Sequence, residues 1–197
     1  MSSSKLSVFI TNSRRILSCY KYNFLELLGV KSNFFHNYLV NMRKPVFLKE
    51  IQMVNINSKN RILLIGTGIF PSETVLIAEK TNARIVGIDN CKNAVKLAKK
   101  YVEKKQLKDK VCIKYADGVD FPIKDFDIIF IAINVYPIDS VLMHLSKNAE
   151  KGTKIMCKSI KNDIEDIIKK LKLADTFIIL KKIENPKSQS FLLKKIR

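Results

Sequence analysis

One stretch in the first half of the chain constrains its fold most: two apolar runs separated by a glycine turn, with an acid at the end of the second run. The first run starts at Arg61 and leads into Gly66-Thr67-Gly68, Pro71 follows, and the second run ends at Asp89. Glycine lets the backbone turn tightly and approach a ligand, and proline suits the first turn of a helix. Because an acid at the end of the second strand is placed to bind both hydroxyls of a ribose, the stretch predicts a nucleoside-binding unit.

The length and composition of the chain are those of a soluble globular protein. It has 197 residues, of which 47% are hydrophobic, enough for one well-packed domain with an N-terminal extension. No apolar run reaches the roughly 18 residues of a membrane-spanning helix, since even the run 126–135 is interrupted by Asp127 and Asn134. We therefore expect a cytoplasmic protein with no membrane partner.

The formal net charge is +18, and it is spread unevenly. Residues 111–150 carry three basic and six acidic side chains, whereas the segments on both sides are strongly basic. Such an excess is typical of RNA-binding surfaces, but lysine, isoleucine and asparagine are all abundant, so compositional bias explains it equally well. A nucleic-acid partner stays open beside a small-molecule acceptor.

Cysteine, histidine and the N-terminal composition add few constraints. The cysteines at positions 19, 91, 112 and 157 form no Cys-x-x-Cys pair, and the chain has only two histidines. This pattern predicts free thiols and no metal site. Residues 1–23 contain serines and arginines but no acid, which fits either a transit peptide or an ordinary amphipathic helix.

Three apolar elements precede the glycine turn. Periodicity predicts a helix over about 16–28 and a second over 32–42, and we expect Pro45 to end the second before a third apolar element starts at Val46. A polar loop then closes the segment. We therefore divide the chain into an N-terminal helical extension, 1–55, and a cofactor-binding domain, 56–197.

From Arg61 onwards, short apolar runs alternate with longer amphipathic segments, as in a parallel sheet with helical crossovers. The runs 176–183 and 190–196 are joined by only six residues, which is too short for a crossover and predicts an antiparallel hairpin. The predicted fold class is α/β, with strands near 61–66, 84–89, 111–115, 127–133 and 152–158 and helices near 71–81, 91–106, 137–149 and 160–173.

Five parallel strands closed by a hairpin, with a glycine loop after the first strand and an acid at the end of the second, resemble the Rossmann-like sheet of class I S-adenosylmethionine-dependent methyltransferases. The resemblance covers residues 46–197. It implies S-adenosylmethionine as cofactor, bound by the loop Gly66-Thr67-Gly68, by Asp89 at the ribose and by Asp117 at the adenine. By position it adds Phe70, Asn90, Gly118 and Asn134 to the cofactor site.

The same resemblance implies an acceptor site after the fourth strand, at Asn134-Val-Tyr-Pro. Ligands collect outside the carboxyl ends of parallel strands. We therefore expect Asn134 and Tyr136 to serve catalysis there, with Tyr38 closing the pocket. Asp117 has a second reading, because with Gly118 it also suits the cap of a turn.

The loop also resembles that of nicotianamine synthases. Gly66-Thr-Gly-Ile-Phe-Pro-Ser is similar to their Gly-x-Gly-Pro-Leu-Pro-Leu-Thr, and Asn37-Tyr38-Leu39 is similar to their Asn-Tyr-Leu. Those enzymes share the fold but transfer an aminocarboxypropyl group. The chain departs from the methyltransferase pattern at Leu64, where an acid is usual, and at Phe70, where a third glycine is usual.

Three functions follow in order. The first is an S-adenosylmethionine-dependent transferase, most simply a methyltransferase acting on a small molecule, with nicotianamine synthase-like aminocarboxypropyl transfer as its alternative. The second is an NAD-binding oxidoreductase, which Phe70 and the hairpin disfavour. The third is a basic RNA-binding or RNA-modifying protein.

Overall fold

The computed structural model describes residues 33–159, 163–185 and 188–197, apart from the side chains of 33–40, 42, 163 and 185. The predicted helix over 16–28 lies outside the described residues. The chain divides into two compact units, 1–43 and 44–197. The predicted division at residue 55 follows the first described helix, whereas the boundary between the units falls inside it.

Five helices and seven strands make up the described residues, numbered here in chain order. The helices are α1 Asn33–Val54, α2 Ser72–Thr81, α3 Lys92–Lys104, α4 Ile138–Asn148 and α5 Asp163–Lys170. The strands are β1 Arg61–Ile65, β2 Arg84–Asp89, β3 Val111–Tyr115, β4 Ile128–Ile131, β5 Lys154–Ser159, β6 Phe177–Asn185 and β7 Ser188–Lys195.

All seven strands form one sheet in the order β3-β2-β1-β4-β5-β7-β6. The neighbouring pairs among β1 to β5 are parallel, while β7 runs antiparallel to both β5 and β6. This arrangement confirms the predicted fold class. The order reverses at β1, so β1 and its neighbours β2 and β4 meet at the point where open α/β sheets bind ligands.

Helices cover both faces of the sheet, and each face buries its own apolar core. One core joins the second half of α1 to α2 and α3, through side chains such as Phe47, Ile77 and Val102. The other joins α4 and α5 through Leu142, Ile168 and their neighbours. The strands between them are apolar on both sides, as fully covered parallel strands are.

The predicted end of the helix before Pro45 is wrong, because α1 continues through Pro45 to Val54. An interior proline costs about 3 kcal/mol. Beyond it, however, Phe47 and Val54 are almost fully buried, and burial of each such side chain contributes about 1.5–3 kcal/mol. Packing therefore outweighs the local penalty. No helix in the described part of the chain is long and apolar enough to cross a membrane.

Candidate functional site

The loop after β1 folds back onto the end of β2. The N–H groups of Gly66 and Thr67 both donate to the carbonyl oxygen of Ile88, at 2.8 and 3.1 Å. Gly66 and Gly68 have φ values of +85° and +66°, a region that residues with a Cβ rarely adopt. The two glycines thus allow the loop to place its backbone directly above the carboxyl ends of β1 and β2.

Gly66 also lets the loop after β4 approach. A Cβ at this position would lie 2.6 Å from Cγ2 of Val135 and 3.3 Å from Cβ of Ala132. Both neighbours belong to the segment that follows β4 and leads to Asn134 and Tyr136. The absent side chain therefore brings together two segments that the sequence predicted to contribute to one site.

Changing Gly66 to alanine should damage both the fold and ligand binding, and Gly152→Ala provides the matched control. Gly152 has a φ of +96°, but a Cβ there would meet nothing within 4 Å. Left-handed backbone costs both variants roughly 1–2 kcal/mol, whereas only Gly66→Ala also displaces the loop after β4. We expect urea unfolding to show a larger loss for Gly66→Ala, and calorimetry to show weaker nucleoside binding for that variant alone. Equal effects of the two changes would contradict this account.

Asp89, at the end of β2, is half-buried, and both of its carboxylate oxygens are in use. Oδ2 accepts the N–H of Gly68 at 2.8 Å, and Oδ1 accepts the N–H of Cys91 at 2.9 Å. A carboxylate oxygen has about two acceptor positions, so each oxygen keeps one position for a hydroxyl. The side chain thus fits the predicted ribose contact, while it fixes the glycine loop at the same time.

The loop after β3 brings Asp117 and Gly118 to the same edge of the sheet. Oδ1 of Asp117 accepts the N–H of Val119 at 3.1 Å, the turn-capping arrangement, and Oδ2 lies 3.4 Å from Nδ2 of Asn90. Gly118 is buried, and a Cβ there would lie 2.6 Å from Cγ2 of Ile65. The structure therefore joins Asn90 and Asp117, which the sequence predicted at the adenine, across the ends of β2 and β3.

Phe70 and Thr67 complete the loop. The ring of Phe70 packs edge to face against Tyr101 of α3, with centroids 5.5 Å apart. Thr67 is 6% exposed, and its hydroxyl has no hydrogen-bond partner among the described residues. Pro71 caps α2 as predicted, without a side-chain hydrogen bond to the first amides of the helix. The start of α2 consequently keeps the positive potential of a helix N-terminus.

The predicted acceptor residues follow β4. Asn134 is half-buried in the turn, and Tyr136 is 54% exposed directly before Pro137, which caps α4. The Tyr136–Pro137 peptide bond is cis. Tyr38 lies in α1, and its side chain is outside the description. No group of three or more potential metal ligands occurs within 33–159, 163–185 and 188–197.

Comparison with known families agrees with this geometry. The family model of nicotianamine synthase proteins matches residues 11–183, which is most of the chain. The chain belongs to the nicotianamine synthase family. No curated protein matches the sequence.

Solved structures with the same fold include members of this family and methyltransferases. A variant of MtNAS in complex with S-adenosylmethionine is 16% identical, with a TM-score of 0.74 over 94% of this chain and 76% of its own. MtNAS in complex with MTA and tNA is 17% identical, with a TM-score of 0.69 over 88% and 69%. An RNA methyltransferase from Salinibacter ruber in complex with S-adenosyl-L-homocysteine is 14% identical, with a TM-score of 0.65 over 78% and 92%.

In this member of the nicotianamine synthase family, the structure also reveals a group that sequence reasoning missed. Nζ of Lys158, on β5, lies 2.9 Å from Oε2 of Glu50 and 2.5 Å from Oε1 of Glu73. Ser190 donates its hydroxyl to Oε1 of Glu50 at 2.5 Å. We call these four side chains the lysine cluster. The only signal in the sequence is a charged residue inside each of two apolar runs, at Glu50 and at Lys158.

The lysine cluster is largely withdrawn from water. Glu50 is 1% exposed and Lys158 10%, while Glu73 is 25% exposed. Burial raises the pKa of Glu50 in spite of the neighbouring ammonium group. Burial also opposes the charge of Lys158, but the two carboxylates outweigh it and raise the pKa of Lys158. The ring of Phe47 lies 4.5 Å from the ammonium group and adds a cation–π contact.

Proposed function

We propose that this chain is an S-adenosylmethionine-dependent transferase of the nicotianamine synthase type. The observation that carries the proposal is the hydrogen bond from Gly68 to Asp89, which joins a ribose-binding carboxylate to the glycine loop at the switch point of the sheet. Membership of the family supports the same conclusion. The hairpin at β6 and β7 and Phe70 in the loop disfavour an NAD-dependent oxidoreductase.

Each proposed contact uses a group at the carboxyl edge of the sheet. Asp89 accepts the ribose hydroxyls, and Asn90 and Asp117 lie beside the adenine. The uncapped amides at the start of α2 attract the carboxylate of the amino-acid end. The cofactor supplies an electrophilic carbon next to its sulfonium, and the chain's own contribution is to hold a nucleophile in line with that carbon, which is worth roughly 7–11 kcal/mol.

The transferred group is proposed to be aminocarboxypropyl, because the family match and the loop resemblance coincide. Methyl transfer to a small molecule is the second candidate, favoured by the RNA methyltransferase and other methyltransferases among the similar folds. In either case Asn134 and Tyr136, and Tyr38 from the N-terminal segment, are proposed to position the acceptor. A small-molecule acceptor and a cytoplasmic location complete the proposal.

Product analysis separates the two candidates. Incubation with S-adenosylmethionine and a mixture of the standard amino acids should yield methylthioadenosine after aminocarboxypropyl transfer and S-adenosylhomocysteine after methyl transfer. We expect methylthioadenosine together with a new aminocarboxypropyl product. Because S-adenosylmethionine also breaks down spontaneously to methylthioadenosine, the rate must exceed that of the Asp89→Asn variant. S-adenosylhomocysteine as the sole product would overturn aminocarboxypropyl transfer, and calorimetry without any S-adenosylmethionine binding would overturn the transferase itself.

A further inference from the structure

The lysine cluster lies at the same level of the sheet as the glycine loop. Ile65 and Cys157 both pair with Ile131, so the residue after each strand position, Gly66 or Lys158, is at the carboxyl edge. Lys158 lies on the face covered by α1 and α2, as its contacts with Glu50 and Glu73 show. The cluster therefore borders the start of α2 from below, close to the proposed cofactor.

Glu73 is the member of the cluster that belongs to the cofactor side. It is the second residue of α2, two positions after the capping Pro71. An acid in the first turn stabilises a helix, because it interacts favourably with the dipole. The same acid competes with any anionic ligand for the positive potential of that end. An unpaired Glu73 would thus oppose binding of a ligand carboxylate beside the loop.

Lys158 removes this conflict, because its ammonium group is hydrogen-bonded to Glu73 at 2.5 Å. The bond is strong and lasting, since Lys158 is 10% exposed and cannot exchange its partner for water. Glu50, at 2.9 Å on the other side, holds the ammonium group in place. The first turn of α2 therefore carries a compensated acid rather than a free negative charge.

We propose that Lys158 is a positioning residue for the cofactor: it compensates Glu73 and so keeps the start of α2 receptive to the carboxylate at the amino-acid end of the ligand. This inference rests on the proposed function, since it requires a nucleoside ligand that carries an amino acid. It predicts a selective effect on that end of the ligand, whereas a purely structural role would affect the whole pocket.

The test compares S-adenosylhomocysteine with methylthioadenosine, which are both thioethers and differ at the amino-acid end. Glu50→Gln serves as the parent, so that no buried carboxylate is left unpaired when lysine is removed. In that parent, Lys158→Met should weaken S-adenosylhomocysteine binding about tenfold, as expected for a charge at a partly buried helix end. Binding of methylthioadenosine should change less than about twofold.

Adding Glu73→Gln to that double variant should restore the affinity for S-adenosylhomocysteine, because the uncompensated charge is then gone. Lys154→Met is the matched control: Lys154 lies on the same strand and face, and its Nζ donates to the carbonyl of Val54 at 2.7 Å. We expect this variant to bind both ligands as its parent does.

Equal weakening of both ligands by Lys158→Met, or no recovery with Glu73→Gln, would overturn the inference but leave the proposed function standing. Failure of the unmodified protein to bind either ligand would instead overturn the proposed function and the inference with it. Circular dichroism of each variant establishes that the compared proteins are folded.

Discussion

Replacement of Asp89 by asparagine should weaken S-adenosylmethionine binding by roughly 100-fold, the loss of about two charge-assisted hydrogen bonds of 1.5–3 kcal/mol each, partly offset by the amide oxygen. The amide nitrogen cannot accept a hydrogen bond, so either Gly68 or Cys91 loses its acceptor as well. The glycine loop is therefore loosened by the same change that removes the ribose contact. Isothermal titration calorimetry on the folded variant measures the effect.

Asp109→Asn is the control for this experiment. Asp109 is exposed and precedes β3, at the amino edge of the sheet opposite the proposed site. We expect this variant to bind S-adenosylmethionine as tightly as the unmodified chain. If Asp89→Asn also retained full affinity, the carboxylate would have no part in the ribose site.

Removing the charge of Lys158 should have the largest effect on stability of any single change considered. Lys158→Met leaves Glu50, which is 1% exposed, without a counterion, and breaking a buried ion pair from one side costs about 3–5 kcal/mol. The methionine side chain keeps most of the packing volume beside Phe47. The loss should appear in urea unfolding as a lower midpoint with an unchanged slope.

The double variant Lys158→Met/Glu50→Gln decides the cause of that loss. Without the buried carboxylate, most of the lost stability should return, since the remaining amide and Ser190 are both neutral. Recovery of less than half would mean that Lys158 acts through packing rather than through charge. Lys154→Met, which loses only a carbonyl contact, should cost about 1 kcal/mol.

The sheet was predictable because its signals are local. Each buried strand is an apolar run, and the turns carry their own residues, so strands and helices lie within a few positions of their predicted bounds. Asp89 was also predictable, because its role depends on a fixed spacing from the glycine loop. The continuation of α1 through Pro45 was not, since it depends on the burial of Phe47 and Val54 against strands that come much later in the chain.

The lysine cluster could not be predicted for a related reason. Glu50 meets Ser190 across 140 positions, and Lys158 meets Glu73 across 85. In a chain with 36 basic residues, nothing local distinguishes Lys158 from the others. Periodicity shows which residues are buried, but the pairing of buried charges depends on the three-dimensional order of the strands.

The position of β7 between β5 and β6 has a consequence for biosynthesis. Translation proceeds from the N-terminus, so β5 is complete and paired with β4 while the ribosome has still to make its other neighbour. At about 5–20 residues per second, the segment from Ser159 to Lys195 takes roughly 2–7 seconds to emerge. During that interval β5 offers an open hydrogen-bonding edge with apolar side chains such as Met156, so a nascent chain of this topology depends on a chaperone or on a low local concentration to avoid aggregation.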